Sequence, residues 1–264
     1  MTKNHNILII DSGIGGLPYF TSIKHLLEAH ALACTIDYLA DNDAFPYGAK
    51  NDSQLQAHLH TLANKLKEAH KHYDVIVIAC NTASIYGKEI FTKHLPNTPI
   101  LTTTPTLCMQ NTSSESFLLL ATSATCRAYQ HLGNITIIPA DPLVRWVETL
   151  FPQASQAERM KYLETFVIEQ IPIQHPATLI LGCTHFLHIK NDLEKLLTSH
   201  HLQIAETTQA LAQELLQTLL HQGATKGKVQ LGELYLTRYL PEDKAYYQKI
   251  AGEYHFEFNK HRLF

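Results

Sequence analysis

Cys80 and Cys183 stand in two short segments that echo each other, Asp74-Val-Ile-Val-Ile-Ala-Cys-Asn-Thr-Ala-Ser84 and Thr178-Leu-Ile-Leu-Gly-Cys-Thr-His-Phe186. In both, an apolar run stops at the cysteine and small or hydroxyl residues follow. Such runs read as strands buried in a parallel sheet, and the residues after them as helix starts. Each thiol is therefore expected at a strand-to-helix turn, where main-chain N–H groups and the helix dipole stabilise an anion and lower a thiol pKa. Two activatable thiols in equivalent positions suit a chemistry with two bases. A lone cysteine is as readily a small buried hydrophobe, which is the expectation for Cys34, Cys108 and Cys126. The duplicated context sets Cys80 and Cys183 apart.

Further segments offer polar groups to the same kind of site. The first strand runs into Asp11-Ser12-Gly13-Ile14-Gly15-Gly16-Leu17-Pro18. A Gly-x-Gly-x-x-Gly dinucleotide loop requires glycine at position 18, and proline stands there, so the nucleotide reading fails. The glycines still expose N–H groups to a small carboxylate at a helix start. Asp11 and Ser12, at the carboxyl end of the strand, face the crevice where parallel sheets bind ligands. Residues 40–48 follow the second strand and read as a loop with Pro46-Tyr47-Gly48 turn chemistry; the Tyr47 hydroxyl either packs or is directed at a ligand. Cys183, His185 and His188 have a Cys-x-His-x-x-His spacing, but no fourth ligand stands at a zinc-site spacing, so no metal is expected. Other histidines, in polar stretches such as 58–60, 70–72 and 200–201, are expected at the solvated surface.

The elements that must position these groups follow from periodicity. Strand-like runs at 6–10, 35–40, 75–79, 116–121, 135–138 and 178–181 alternate with helix-length segments, the pattern of a parallel α/β fold. Leucines at helical spacing in 53–71 and 209–220 mark amphipathic cover helices. Pro96, Pro99 and Pro105 punctuate the chain after the first cysteine segment. Two α/β domains are expected: residues 1–98 plus 208–264, closing with a strand at 254–258, and residues 99–207. A length of 264 residues allows two cores. With 21 Lys and Arg against 24 Asp and Glu, the net charge of −3 gives no general attraction for nucleic acid or acidic membranes. No apolar run approaches the ~18 residues of a membrane span, and no signal-like segment precedes Ile7. A cytoplasmic, small-molecule role with reduced thiols is the expectation.

Four motifs together, residues 11–16 (Asp-Ser-Gly-Ile-Gly-Gly), 46–48 (Pro-Tyr-Gly), 79–84 (Ala-Cys-Asn-Thr-Ala-Ser) and 181–186 (Leu-Gly-Cys-Thr-His-Phe), resemble the glutamate racemases in order and spacing. The resemblance covers most of the chain. It implies two pseudo-symmetric α/β domains with mainly parallel sheets flanked by helices, and an active site in the cleft between them. It further implies cofactor-independent racemisation of glutamate, supplying D-glutamate for peptidoglycan synthesis, with Cys80 and Cys183 as the acid/base pair and Asp11 and His185 as their helpers. By the same likeness, Asp11, Ser12, Tyr47, Gly48, Asn81, Thr82, Thr184 and His185 match substrate-contact positions, joined by Thr122 and Thr125 of Ala-Thr-Ser-Ala-Thr. No cofactor and no metal are implied; glutamate is the expected partner, and a homodimer is left open.

The chemistry agrees with that resemblance. Inverting an α-carbon needs a base on one face and an acid on the other, so one thiol must be ionised while its counterpart is not. An unperturbed thiol of pKa about 8.5 is only about 3% ionised at pH 7, so local electrostatics must intervene. The chain departs from the family pattern at Leu187-His188, at Asp141 and at Ile204-Ala205-Glu206, and its nearest match to the family's acidic substrate-side residue, Glu148, falls one position off register. Two other readings stand beside glutamate racemisation: an aspartate or broad-specificity amino-acid racemase, and a racemase-like protein acting mainly by binding another protein.

Overall fold

A computed structural model of the chain describes residues 4–109, 116–171, 177–198, 202–258 and Leu263. Two parallel sheets organise it. The first contains β1 (His5–Asp11), β2 (Cys34–Ala40), β3 (Val75–Ile78) and β4 (Ile100–Thr102), and the second β5 (Phe117–Ala121), β6 (Ile135–Pro139), β7 (Thr178–Gly182) and β8 (Gln203–Ala205). Two late strands, β9 (Val229–Leu236) and β10 (Glu257–Phe258), return to the first sheet, whose order is β10-β9-β2-β1-β3-β4. The second sheet runs β6-β5-β7-β8, which repeats the β2-β1-β3-β4 order of the first. Cys80 and Cys183 thus follow the third strand of two equivalent four-strand units.

Helices cover both sheets: α1 (Leu17–Ala29), α2 (Asp52–Glu68) and α3 (Asn81–His94) arise in the first unit. The helices α4 (Thr106–Met109), α5 (Ser123–Tyr129), α6 (Asp141–Thr149), α7 (Gln156–Gln170) and α8 (Lys190–Leu197) follow, and α9 (Thr208–His221) and α10 (Lys244–Tyr254) end the set. The β3 sequence Val-Ile-Val-Ile is buried throughout, as a parallel strand covered on both faces requires. Its valines pack into the core beneath α1 and α9, and its isoleucines into the core beneath α2 and α3. The leucines of the two cover helices are buried accordingly: Leu55, Leu59, Leu62 and Leu66 on α2, and Leu211, Leu215, Leu216 and Leu219 on α9.

Three details differ from the sequence expectation. β4 pairs with β3, so the six-stranded sheet continues to Thr102, past the expected crossing at 98–99. The strand expected at 254–258 shrinks to Glu257–Phe258, because α10 runs through Tyr254 and ends in a left-handed residue, His255, with φ 62°. β9 escapes alternation because its pairing with β2 shifts by one residue between Ile36 and Tyr38. There Glu233 N donates to Asp37 Oδ1 at 3.0 Å, and a Cβ on Gly232 would collide with the same oxygen. The shift moves the apolar residues from Val229 and Leu231 to Leu234 and Leu236, which hides the period of two. The two passages of chain between the units meet at one point: the Thr103 and Thr207 hydroxyls bond each other, and Tyr19 OH bonds them at 2.9 and 2.5 Å. Among the described residues, no helix is long and apolar enough to cross a membrane. Histidines 200 and 201 lie outside the described residues.

Candidate active site

The carboxyl ends of the two sheets face each other, and the residues just beyond them enclose a narrow cavity. Cys80 and Cys183 both line it, with Ser12, Tyr47, Gly48, Asn81, Thr82, Thr122, Thr184 and His185. Each cysteine is the residue before a helical turn: Cys80 precedes α3, and Cys183 precedes a 3-10 helix over Thr184–Ile189. Asp11 and Thr125 lie behind the lining. Asp11 Oδ2 accepts from Gly13 N at 2.9 Å and Oδ1 from the Thr184 hydroxyl at 3.2 Å, a bond between the two units. Thr125 and Thr122 each stand 3.0 Å from the Thr82 hydroxyl, again between units. The Asn81 amide nitrogen lines the same space, buried and without a hydrogen-bond partner.

The two thiols have different surroundings. Burial and the carboxylate of Asp11 raise the Cys80 thiol well above its ordinary value, outweighing a backbone hydrogen bond from Ala83. The expected lowering by the helix start is therefore reversed at Cys80: desolvation of a buried anion exceeds the pull of the N–H groups. Burial likewise raises the Asp11 carboxyl, against the opposing charge of His185. On the other side, His185 Nδ1 lies 3.8 Å from Cys183 Sγ, and its Nε2 lies 2.7 Å from Glu148 Oε2. Burial alone would lower the His185 pKa, but its bonds to Cys183 and Glu148 win and hold it well above the ordinary histidine value. An imidazolium thus sits between the Cys183 sulfur and the Glu148 carboxyl group.

Glu148, whose register in the sequence was off by one, is held by the fold rather than by local spacing. It stands on α6, accepts from Ile14 N at 3.0 Å across the units, and its carbonyl accepts from Tyr246 OH at 2.7 Å. His188, the third member of the Cys-x-His-x-x-His spacing, donates to Ile14 O at 3.0 Å. The Ile14 backbone is therefore held at both its N–H and its C=O. Burial lowers the His188 pKa to about 4, so it is a neutral donor at neutral pH. Among the described residues, no three His, Cys, Asp or Glu side chains are grouped to hold a metal ion. The glycines of the first loop are needed for close approach: a Cβ on Gly15 would collide with the His185 ring, and one on Gly13 with the Glu148 carboxylate. The remaining cysteines are core residues, with burial pushing Cys34, Cys108 and Cys126 up to about 12. A larger cavity of about 630 Å³ beside Ile14 and His188 is lined by neither Cys80 nor Cys183.

Two thiols at equivalent strand ends, each with its own polar neighbour, meet a family match over most of the chain: residues 7–215 fit the model of the Asp/Glu/hydantoin racemases. The chain belongs to that family. It is 30% identical to the glutamate racemase of Aliivibrio salmonicida (strain LFI1238) over 254 residues, 91% of this chain and 90% of that protein. It is 29% identical over 266 residues to the glutamate racemase of Borreliella burgdorferi, covering 96% and 95%. The fold matches the glutamate racemase isoform RacE1 of Bacillus anthracis (TM-score 0.78, 20% identity, 97% and 96% covered). It also matches the Escherichia coli glutamate racemase, solved with L-glutamate and its activator UDP-MurNAc-Ala (TM-score 0.78, 22% identity, 97% of each chain covered). The protein is accordingly an isomerase of the amino-acid racemase class, and the α/β architecture expected from its strand pattern is the one observed.

Proposed function

We propose that this enzyme interconverts L- and D-glutamate without a cofactor, with Cys80 and Cys183 acting on opposite faces of the α-carbon. The observation that carries the reading is that both thiols line one cavity while leaning on separate partners, Asp11 and the His185–Glu148 pair. In one direction Cys183, as thiolate, takes the α-proton, and its negative charge is compensated by the imidazolium of His185. Cys80, kept protonated by burial and by Asp11, gives its proton to the other face. In the reverse direction the roles exchange: Cys80, the thiolate left by the forward step, takes the α-proton beside the raised carboxyl of Asp11, and Cys183 returns its proton to the other face. The cycle conserves protons: each turnover leaves one thiol and one thiolate, exchanged in place.

The unpartnered Asn81 amide and the hydroxyls of Ser12, Thr82, Thr122 and Thr184 suit a substrate carboxylate, and donors fixed in advance stabilise the charge that develops beside it. Tyr47 and Gly48 bound the same space, and Thr125 supports Thr82 and Thr122 from behind. The expected division into two domains enters this reading with its first crossing moved to residues 103–105, since β4 belongs to the first sheet and Thr103 and Thr207 meet at Tyr19. Supply of D-glutamate for peptidoglycan, in the cytoplasm, is part of the same proposal, and the relatives named glutamate racemase support its first step. The test is polarimetry on L- and D-glutamate, with aspartate alongside, before and after exhaustive EDTA treatment. Turnover of glutamate unaffected by EDTA is expected. Faster turnover of aspartate, or a loss restored by zinc, overturns the reading.

A further inference from the structure

His58 was expected in solvent, but its ring bends under the loop that follows β2. Its Nε2 bonds Asp41 Oδ2, and the same oxygen accepts from Tyr47 OH. Asp41 is buried, and so is Tyr47, whereas the His58 side chain remains about a quarter exposed. The Tyr47 and His58 rings pack with centroids 5.7 Å apart at 56°. Burial pushes the Asp41 carboxyl up, but the bonds and charge of His58 and the Tyr47 bond outweigh it and hold the group below the usual carboxylate range. An ionised carboxylate only accepts, so His58 must carry its proton on Nε2.

The segment held by this carboxylate is a wall of the thiol cavity. Phe45 packs on the His185 ring with centroids 5.6 Å apart, Tyr47 lines the cavity beside Cys80, and a Cβ on Gly48 would collide with Thr122 of the other unit. A shift of the segment therefore moves contacts on both sides of the cavity. Tyr47 is its middle, and Asp41 is the side-chain anchor of the Tyr47 hydroxyl. α2 supplies the outer end: it starts at a capping box of Asn51 and Gln54, which fixes its register, and His58 follows one turn later on the face that meets Asp41. We propose that His58 is a positioning residue for racemisation: through Asp41 it fixes the Tyr47 ring, and with it the wall formed by residues 45–48. The inference rests on the glutamate reading for its kinetic readout but not for its geometry.

The experiment compares wild type, His58→Leu and His58→Gln in the full chain. Glutamine places its amide nitrogen close to the position of ring Nε2 and keeps the donor; leucine removes it. The leucine variant is expected to raise KM for both enantiomers at least five-fold, with kcat and the α-deuterium isotope effect changed less than two-fold. Glutamine restores KM to within two-fold of wild type. An unchanged KM in the leucine variant, or an equal fall of kcat in both variants with no rescue by glutamine, overturns the proposal. If wild type itself does not turn over glutamate, the glutamate reading fails, and the strut is judged by a thermal double-mutant cycle of His58→Leu with Tyr47→Phe. Clearly non-additive shifts in Tm support it; additive shifts overturn it.

Discussion

Glu148 holds His185 at 2.7 Å through Oε2, the same oxygen that receives the Ile14 N–H at 3.0 Å from the opposing unit. One carboxylate oxygen thus couples the charge of the imidazole to the closure of the two sheets around the thiols. Its side chain is almost wholly buried, so little water competes for either bond.

Removing that charge has a defined sign. His185 has a folded pKa above its unfolded value, so its contribution is fully present below pH ~6.5 and is lost as pH rises through the folded value. Glu148→Gln takes away part of the raise, and the alkaline limb of the kcat profile should move to lower pH. A charge-assisted hydrogen bond is worth about 1.5–3 kcal/mol, so kcat at pH 8 should fall roughly ten- to hundred-fold. A pH–rate profile identical to wild type would remove Glu148 from the mechanism.

Cys80→Ser and Cys183→Ser should each nearly abolish racemisation, because a serine hydroxyl is too weak an acid to supply the base near neutral pH. Cys34→Ser, Cys108→Ser and Cys126→Ser should keep the chemistry and lose only stability, since all three sit in apolar cores. Rates and circular dichroism of all five variants make the comparison. Full loss in the three core variants with native spectra would mean that the active pair is wrongly chosen.

Separate thiols leave an isotopic signature. Turnover in deuterated water should place label at the α-carbon of the product enantiomer before much label enters recovered substrate, because the proton removed and the proton delivered belong to different sulfurs. Chiral mass spectrometry at early times reads this directly. Simultaneous labelling of both enantiomers would point to one base serving both faces.

His188 predicts an acid-side loss of stability. Its folded pKa of about 4 lies below the ordinary 6.5, so the fold excludes its proton; the contribution is intact above pH ~6.5 and is lost as pH falls toward 4. A gap of 6.5 − 4 = 2.5 is at most about 3 kcal/mol. Urea unfolding at pH 6.5, 5 and 4 should therefore show a steeper decline for wild type than for His188→Leu. The leucine variant should also be about 1 kcal/mol less stable at pH 7, from the lost bond to Ile14 O. Parallel declines would show that His188 takes up no proton on unfolding.

What the sequence determined by itself is local. The apolar runs that stop at Cys80 and Cys183, the glycines after Asp11 and the leucine spacing of α2 and α9 each state their element within a dozen residues, because burial on one or both faces imposes a short period on the chain. The parallel α/β class followed from their alternation. What only the tertiary structure decided depends on groups far apart in the chain. Glu148 reaches Ile14 over 134 positions and His185 over 37, and no spacing rule spans such gaps. β9 was hidden because its shift against β2 breaks the alternation on which a strand is read. His58 looked like one more solvated helix histidine until Asp41, 17 residues earlier, was seen to lie beneath it. The state of Cys80 was set in the same way: the helix start that the sequence announces favours a thiolate, whereas the burial and the Asp11 carboxylate that folding adds are stronger and keep the proton on sulfur.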